Sequence, residues 1–452
     1  MNTFFPRLAA AVLLTLAAAA AGRAGGKAAT SLEARRETIK QEVMPKVAEL
    51  RGLSFTADVP IRAVTQSDVA SYVRKAIEED MTPEEFEGYQ RVLVYLGLLR
   101  AGTDLRETVI NTYSQQIAGY YDDEKKYFAI VERDSTPAAL DSMTVAHELT
   151  HALQDEHFDL KAMRKMVEHD DDAGLAVMAL AEGDASDIML RFATKSYARG
   201  KGQVKDYTPF LSVSLGAQSI PDLPMILAQD MIFPYTYGTR FATAVMKRAG
   251  DGALDRAFAD PPVSTEQVMN PDKYLRRDEP FMIEIADLSG KLGKGWRQID
   301  SEPLGQFNLG IYLSSNLGAY GIEDLIEPWK GDTLAAYSGP DGELFLIYYS
   351  TWDTPQAAAN FAAGYRRLLE TRFGDLERAR SDTDLATWLR GKRLYYVKRV
   401  GSDVVVVENV PREVAGDAIL GAWDAPKVPL NQVLPLADRD RIQPGAKENP
   451  LP

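Results

Sequence analysis

The segment 147-HELTHALQDEH-157 contains three of the four histidines in a chain of 452 residues. His147, Glu148 and His151 form the pattern HExxH within an apolar segment that predicts a helix over 137–156. On a helix the two histidines lie on one face, one turn apart, so both imidazoles can bind one metal ion. Glu148 then lies beside the ion, where it can take a proton from a metal-bound water. The pattern therefore predicts a zinc (Zn²⁺) site with Glu148 as the general base.

A catalytic zinc needs a third protein ligand and an open position, and His157 is the first candidate. Its spacing is similar to that of the metzincins, whose pattern is HExxHxxGxxH. The glycine in that pattern lets the chain turn sharply, whereas this chain has Gln154 there. If the helix continues instead, His157 lies too far along the axis to reach the same ion. The remaining histidine, His169, lies in 168-EHDDD-172, an acidic segment typical of a solvated turn.

Glu182 is the third candidate, and we favour it. It lies within 174-GLAVMALAEGDASDIML-190, in a predicted helix over 173–198. A carboxylate in so apolar a helix is costly unless it is paired or bound to a metal. Gly183 and Ala185 are small and predict a close approach to the HExxH helix. The predicted zinc ligands are therefore His147, His151 and Glu182.

The wider sequence resembles bacterial exported proteins that carry zinc metallopeptidase domains of the gluzincin-like zincin type. Three segments carry the resemblance, which extends from about Tyr89 to Tyr274: HELTHALQDEHFDL, ALAEGDAS and 261-PPVSTEQVMNPDKY-274. In gluzincins the third ligand is a Glu on a second helix, in the pattern E-x-x-x-D or E-x-x-A. Glu182 and Ala185 match the second form. The resemblance implies a zinc-dependent metallopeptidase with a peptide or protein substrate.

The resemblance also implies roles for residues around the metal. The partner that orients a ligand histidine could be Asp184, Asp187 or neither of them. Zincins often stabilise the transition state with a downstream Tyr, His or Arg, and 235-YTYGTR-240 offers Tyr235, Tyr237 and Arg240. The same aromatic residues also fit ordinary packing around a Pro–Gly break.

Composition limits the classes of function. The net charge of −14 argues against nucleic acid as a partner, because phosphate binding needs basic clusters. The chain has no cysteine, which excludes thiolate metal ligands and thiol catalysis. Residues 1–24 have the basic start, apolar run and small residues of a signal peptide. We therefore expect an exported protein, periplasmic or secreted, without a stable membrane span once the signal is removed; an uncleaved anchor is the alternative.

The order of the predicted elements indicates an α+β protein with two parts. Residues 25–290 would form a mainly helical, zincin-like domain, with a helical N-terminal part over 25–100 and a β-hairpin over 117–131. A helix start is predicted at Thr82–Pro83, and residues 221–260 are predicted to be helical with a break near 234–238.

The C-terminal part would be a separate α+β domain over 300–430, followed by a tail over 431–452. Two ββα units predict an antiparallel sheet there: strands at 332–338 and 343–351 before a helix over 355–373, and strands at 393–400 and 403–410 before a short helix from about Arg412. The segment 344-LFLIYYSTWDTPQAAANF-361 is similar to the small domain that often accompanies such metallopeptidases. The glycine-rich segment 287–305 is predicted to be a linker.

An alternative from another class of protein stays open. The chain could be a non-catalytic binding or assembly protein of the periplasm that keeps a zincin scaffold, with the C-terminal part as its working part. The intact Glu148 argues against this alternative, because a scaffold that has lost catalysis no longer needs the base. The oligomeric state and the identity of the substrate are not predicted by the sequence.

Overall fold

The structure is a computed structural model that describes residues 14–16, 32–132, 138–168, 170–197, 223–250 and 252–430. It is an α+β fold whose largest sheet is antiparallel, as predicted. The predicted tail lies outside the described residues, and so does the predicted signal peptide except for Leu14–Leu16. No helix among the described residues combines the length and the apolar character needed to cross a membrane.

The N-terminal part is helical, as predicted. Its elements are α1 (Leu32–Thr38), a π-helical turn (Ile39–Val43), α2 (Met44–Arg51), α3 (Gln66–Asp80), α4 (Pro83–Leu96) and α5 (Leu105–Gln116). Helix α4 begins at the predicted Thr82–Pro83 start, where the Thr82 hydroxyl accepts from the Glu85 N–H and the Glu85 carboxylate accepts from the Thr82 N–H.

A four-stranded sheet follows in the order β1 (Leu14–Leu16), β3 (Ile117–Asp122), β4 (Tyr127–Val131) and β2 (Ile61–Val64). The predicted hairpin over 117–131 is confirmed as β3 and β4, which pair antiparallel. Strand β2 pairs parallel with β4, and β1 pairs antiparallel with the other edge of β3. The sheet lies against the HExxH helix, and the Tyr121 hydroxyl of β3 donates to Asp155 of that helix at 2.9 Å.

The helices that form the site follow the sheet. They are α6 (Ala138–Phe158), α7 (Leu160–Met166), α8 (Asp171–Tyr197) and α9 (Met225–Ala249), and three short helices come after them: α10 (Ala253–Ala259), α11 (Thr265–Met269) and α12 (Pro271–Leu275). Helices α6 and α8 match the predictions over 137–156 and 173–198.

The predicted break near 234–238 is wrong, because α9 is continuous through Pro234. The glycine of that segment is used for packing. A Cβ on Gly238 would lie 2.1 Å from the Ala179 carbonyl oxygen of α8, and one on Gly183 would lie 2.2 Å from the Gly238 backbone. Gly183 therefore permits a close approach of α8 to α9. The sequence predicted that Gly183 would instead approach the HExxH helix.

The C-terminal part is built on a seven-stranded antiparallel sheet in the order β6-β7-β8-β12-β11-β10-β9. Its elements are β5 (Phe281–Ile283), α13 (Ser289–Leu292), β6 (Arg297–Glu302), α14 (Gly305–Leu317), α15 (Ile322–Ile326), β7 (Trp329–Ser338), β8 (Leu344–Trp352), α16 (Pro355–Arg372), β9 (Glu377–Ser381), β10 (Leu385–Arg390), β11 (Arg393–Val400), β12 (Asp403–Pro411), α17 (Ala415–Trp423) and β13 (Lys427–Pro429). The two predicted ββα units are β7–β8–α16 and β11–β12–α17. The predicted linker over 287–305 is instead built into the fold, since it contains α13 and the edge strand β6.

The sheet is buried on both faces, which explains the valine run of β12. Successive side chains of a strand point to opposite faces. Val404 and Val406 belong to a core that continues into the N-terminal helices, whereas Val405 and Val407 belong to a second core covered by α17. The two parts of the chain therefore share one continuous core. A third core packs α2 and the small sheet against α6 through Val47, Phe128 and Leu149, among others.

Candidate metal centre

Helices α6 and α8 bring together the three predicted ligands. His147 and His151 lie one turn apart on α6, and Glu182 faces them from the middle of α8. The His147 Nε2 atom lies 2.9 Å from Glu182 Oε2 and 3.1 Å from His151 Nε2, and His151 Nε2 lies 3.6 Å from Glu182 Oε2. All three residues are at most 1% exposed. Among the described residues this is the one group of His, Asp and Glu side chains able to hold a metal ion.

The donor atoms fit a small tetrahedral cation. Zinc bound to nitrogen and oxygen at about 2.0–2.1 Å in a tetrahedron places neighbouring ligand atoms about 3.3–3.4 Å apart. The three separations of 2.9, 3.1 and 3.6 Å bracket that value. Two imidazoles and one carboxylate also form one of the ligand sets of catalytic zinc, which leaves a fourth position open.

The electrostatics of the group favour a positive charge between its donor atoms. Burial alone would raise the pKa of Glu182, but the two histidines outweigh burial and lower it to about 2. Burial alone would lower the pKa of His151, but Glu182 outweighs burial and raises it to about 9. The pKa of His147 is lowered by burial. One ionised carboxylate therefore faces two imidazoles, and the negative charge of Glu182 favours a positive charge on the His151 side of the group.

Glu148 and Tyr235 complete the surroundings of the group. Glu148 follows His147 on α6 and is 0% exposed. The Tyr235 ring of α9 stacks on the His147 imidazole, with ring centroids 6.1 Å apart. Burial, followed by the negative charges of Glu182 and Glu148, raises the pKa of Tyr235 well above its usual value, so the hydroxyl keeps its proton. Tyr235 is therefore a neutral hydrogen-bond donor beside the triad.

Tyr237 and Arg240 are not part of this arrangement. The Tyr237 ring stacks on Phe233, with centroids 5.0 Å apart, and packs against Phe307. The exposed Arg240 guanidinium lies over the Tyr237 ring. Of the residues expected from 235–240, the structure brings only Tyr235 to the histidines, because α9 continues through this segment and successive positions face different directions.

His157 is not among the three clustered ligands. Helix α6 runs on past Gln154 to Phe158 without the sharp turn that the metzincin-like alternative requires. His157 therefore lies near the C-terminal end of the helix, where its Nε2 is 2.9 Å from the Ser54 carbonyl oxygen. His169, the other histidine considered as a ligand, lies outside the described residues.

The side chain that contacts the His151 imidazole on the far side of the triad is Gln154, which the sequence analysis did not identify. Its Oε1 lies 2.8 Å from His151 Nδ1, and its Nε2 donates to Asp184 Oδ2 at 2.9 Å. Asp184 therefore contacts Gln154, and Asp187 pairs with Arg191 at 3.4 Å. The spacing of three residues between His151 and Gln154 on one helix face is the signal that could have identified this contact.

Comparison with known proteins bears on the C-terminal part alone. A family described as a domain of unknown function (DUF8575) matches residues 294–420, which hold none of the clustered residues. No curated protein and no solved structure matches the chain. The matched segment begins near β6 and ends within α17, so it covers the seven-stranded sheet with its helices.

Proposed function

We propose that the protein is a zinc-dependent peptidase that acts outside the cytoplasm on a peptide or protein substrate. The observation that carries the proposal is the convergence of His147, His151 and Glu182, with Glu148 next to His147 in the sequence and near enough to His151 for its negative charge to raise the pKa of that imidazole. Zinc bound there would polarise a peptide carbonyl and lower the pKa of a bound water toward neutrality. The sequence resemblance to gluzincin-like zincins and the predicted signal peptide support the same assignment.

Each residue has a distinct task in this proposal. His147, His151 and Glu182 hold the metal. Glu148 accepts the proton of the attacking water and transfers it to the leaving amine. The neutral Tyr235 hydroxyl donates a hydrogen bond to the oxyanion that develops on the substrate carbonyl. The burial of all five side chains excludes bulk water and strengthens these interactions.

The edge of β3 supports a peptide as the substrate class. In the structure this edge, next to α6, pairs antiparallel with Leu14–Leu16, a segment of the predicted signal peptide. The edge therefore accepts an extended chain through backbone hydrogen bonds. Removal of the signal would free this edge for an extended segment of another polypeptide.

A non-catalytic protein that keeps a bound metal is the second candidate. The observation that favours it is the near-complete burial of the triad and Glu148, each at most 1% exposed, because a substrate can reach the metal only after the surrounding elements separate. In this alternative the metal stabilises the fold, and the C-terminal sheet carries the binding or assembly function.

Metal analysis and a peptide-library cleavage assay separate the two candidates. We expect about one zinc per chain in the unsubstituted protein, together with cleavage that a chelator abolishes. Glu148→Gln should keep the zinc and lower cleavage by about 10²- to 10⁴-fold, the contribution typical of a general base. The matched control is Glu84→Gln on the exposed first turn of α4, which should change neither property.

Two results would decide against the peptidase. The first is a zinc-loaded protein that cleaves no peptide of the library, which would favour the non-catalytic candidate. The second is cleavage by Glu148→Gln at the rate of the unsubstituted protein, which would show that the hydrolysis comes from another site or a contaminant.

A further inference from the structure

A chain of buried polar contacts leads from His151 to the N-terminal helices. Gln154 is 0% exposed and lies one turn after His151 on α6. Its Oε1 lies 2.8 Å from His151 Nδ1. Its Nε2 lies 2.9 Å from the Ala181 carbonyl oxygen and 2.9 Å from Asp184 Oδ2, both on α8. Gln154 therefore links the helix of the two histidines to the helix of Glu182.

The partners of the amide fix its orientation. A carbonyl oxygen and an ion-paired carboxylate oxygen can only accept hydrogen bonds, so the atom that faces Ala181 and Asp184 must be the NH₂ group. The Gln154 oxygen then faces His151 and can only accept. It follows that His151 Nδ1 carries a hydrogen, and that its Nε2, next to His147 Nε2, is the atom left for the metal.

Asp184 is held in turn by Arg51, at the end of α2. The Arg51 Nε donates to Asp184 Oδ2 at 2.8 Å, and its Nη1 pairs with Asp255 of α10 at 2.8 Å. The guanidinium also lies 5.8 Å from the ring centroids of both Phe158 and Phe258. The Arg51 and Asp184 side chains are 6% and 1% exposed, so this ion pair is part of the interior. Arg51 thereby connects α2, α8 and α10 behind the metal ligands.

We propose that Gln154 is a positioning residue that holds His151 as its Nδ1–H tautomer with Nε2 toward the metal, and that the Asp184–Arg51 ion pair fixes Gln154. The proposal rests on the metal site of the proposed function and does not depend on hydrolysis. A hydrogen-bond partner of this kind contributes about 10- to 100-fold to metal affinity in proteins.

The first test compares zinc affinity in matched variants. Gln154→Leu keeps the approximate shape of the side chain and removes both hydrogen-bonding ends. We expect zinc binding, measured by competition with a chelator, to weaken about 10- to 100-fold at an unchanged stoichiometry of about one. Gln306→Leu is the matched control, because Gln306 is also buried and donates to the carbonyl oxygens of Ile326 and Glu327 in the C-terminal part. Gln306→Leu should bind zinc with an affinity within about twofold of that of the unsubstituted protein. A folded Gln154→Leu protein with unchanged affinity would overturn the proposal.

The second test needs no substitution at Gln154 and so remains decisive if that variant does not fold. The zinc-bound protein, labelled with ¹⁵N-histidine, gives imidazole nitrogen signals from only four residues. We expect His151 to carry its hydrogen on Nδ1 and its metal on Nε2. The opposite tautomer, with the metal on Nδ1, would overturn the proposal. A zinc-bound protein that shows the expected tautomer but cleaves no peptide would contradict the proposed peptidase activity. The positioning role of Gln154 would still stand.

Discussion

Two buried charged networks in the described part of the chain, one around Glu408 and one around His147, His151 and Glu182, differ in how their charges are satisfied. In the C-terminal part Glu408 accepts from the Tyr365 hydroxyl at 2.5 Å, the Tyr95 hydroxyl at 3.1 Å and Arg372 at 3.1 Å. Every strong acceptor there has a donor from the protein. In the candidate metal centre two imidazole nitrogens lie 3.1 Å apart and face a single carboxylate. The Glu408 oxygens are therefore satisfied by donors of the protein, whereas the triad directs three metal-ligating atoms toward one point.

This difference separates a stabilising network from a binding site. Both networks are buried and contain hydrogen bonds, so neither property identifies function by itself. What distinguishes the triad is that its acceptor atoms converge on one point that a cation can occupy. The Glu408 network ties β12 and α16 to Tyr95 of α4, and it therefore joins the two parts of the chain.

The largest expected effect comes from breaking the complete network. Glu408→Gln removes the charge opposite Arg372, whose side chain is 8% exposed, and leaves a buried cation without its partner. We expect the free energy of unfolding to fall by about 3–5 kcal/mol in denaturant titrations. Zinc stoichiometry should not change. A Glu408→Gln protein that loses zinc would show that the two networks are not independent.

Metal removal tests whether the triad of His147, His151 and Glu182 is a specific metal site. Zinc at about 100 times its dissociation constant should stabilise the protein by about 2.7 kcal/mol, because it binds the folded chain. A chelator should therefore lower the thermal midpoint of the unsubstituted protein and that of Glu408→Gln. The same chelator should have no effect on Glu182→Ala. Equal midpoints with and without zinc in the unsubstituted protein would refute a specific metal site.

The close approach of α8 and α9 predicts a smaller effect. In Gly183→Ala the new Cβ would lie 2.2 Å from the Gly238 backbone, so the helices must separate. We expect a loss of about 1–3 kcal/mol in stability and weaker zinc binding, because Glu182 is the preceding residue. Gly416→Ala in α17 is the matched control, since nothing lies within 4 Å of its Cβ. It should be neutral or slightly stabilising, and a similar loss in both variants would argue against the close approach.

The smallest effect concerns pH. Burial raises the pKa of Asp332 to about 6, although the N–H groups of Leu304 and Gly305 and the Tyr348 hydroxyl oppose the shift. The folded protein thus binds a proton that the unfolded chain has lost, in the window between about pH 4 and pH 6. Stability should therefore rise as the pH falls from 7 to 5, by about 1 kcal/mol for this group.

Asp332→Asn is the variant that tests this assignment. The amide keeps an acceptor for the two N–H groups and cannot titrate. The gain in the free energy of unfolding between pH 7 and pH 5 should therefore be smaller by about 1 kcal/mol in Asp332→Asn. The measurement is a series of denaturant titrations between pH 5 and pH 7. An unchanged slope in Asp332→Asn would assign the pH dependence to other buried acids.

The sequence predicted those parts of the fold that have a local signal. The hairpin over 117–131, the HExxH helix and the valine-rich strand β12 follow from periodicity and turn residues. Strands β9 and β6 were missed because Glu377–Ser381 and Arg297–Glu302 are polar edge strands, whose pairing depends on the neighbouring strand. The break expected in α9 was wrong because Gly238 serves a contact with Ala179 that is distant in sequence.

The residues of the candidate site also differ in whether the sequence around them carries a local signal. His147, Glu148 and His151 are identified by their spacing, and Glu182 by the apolar segment around it. Arg51 could not be predicted, because it meets Asp184 across 133 residues and has no pattern of its own. Arg51 also ties α2 to α8, the helix of Glu182, and removal of residues 32–51 would expose the core against which α6 packs.

The identity of the third ligand is the central claim, and zinc content measures it most directly. The unsubstituted protein, Glu182→Ala and His157→Ala are purified, dialysed against excess zinc and then against buffer, and analysed for metal. We expect about one zinc per chain in the unsubstituted protein and in His157→Ala, and none in Glu182→Ala. Stoichiometric zinc in Glu182→Ala together with its loss in His157→Ala would contradict the account.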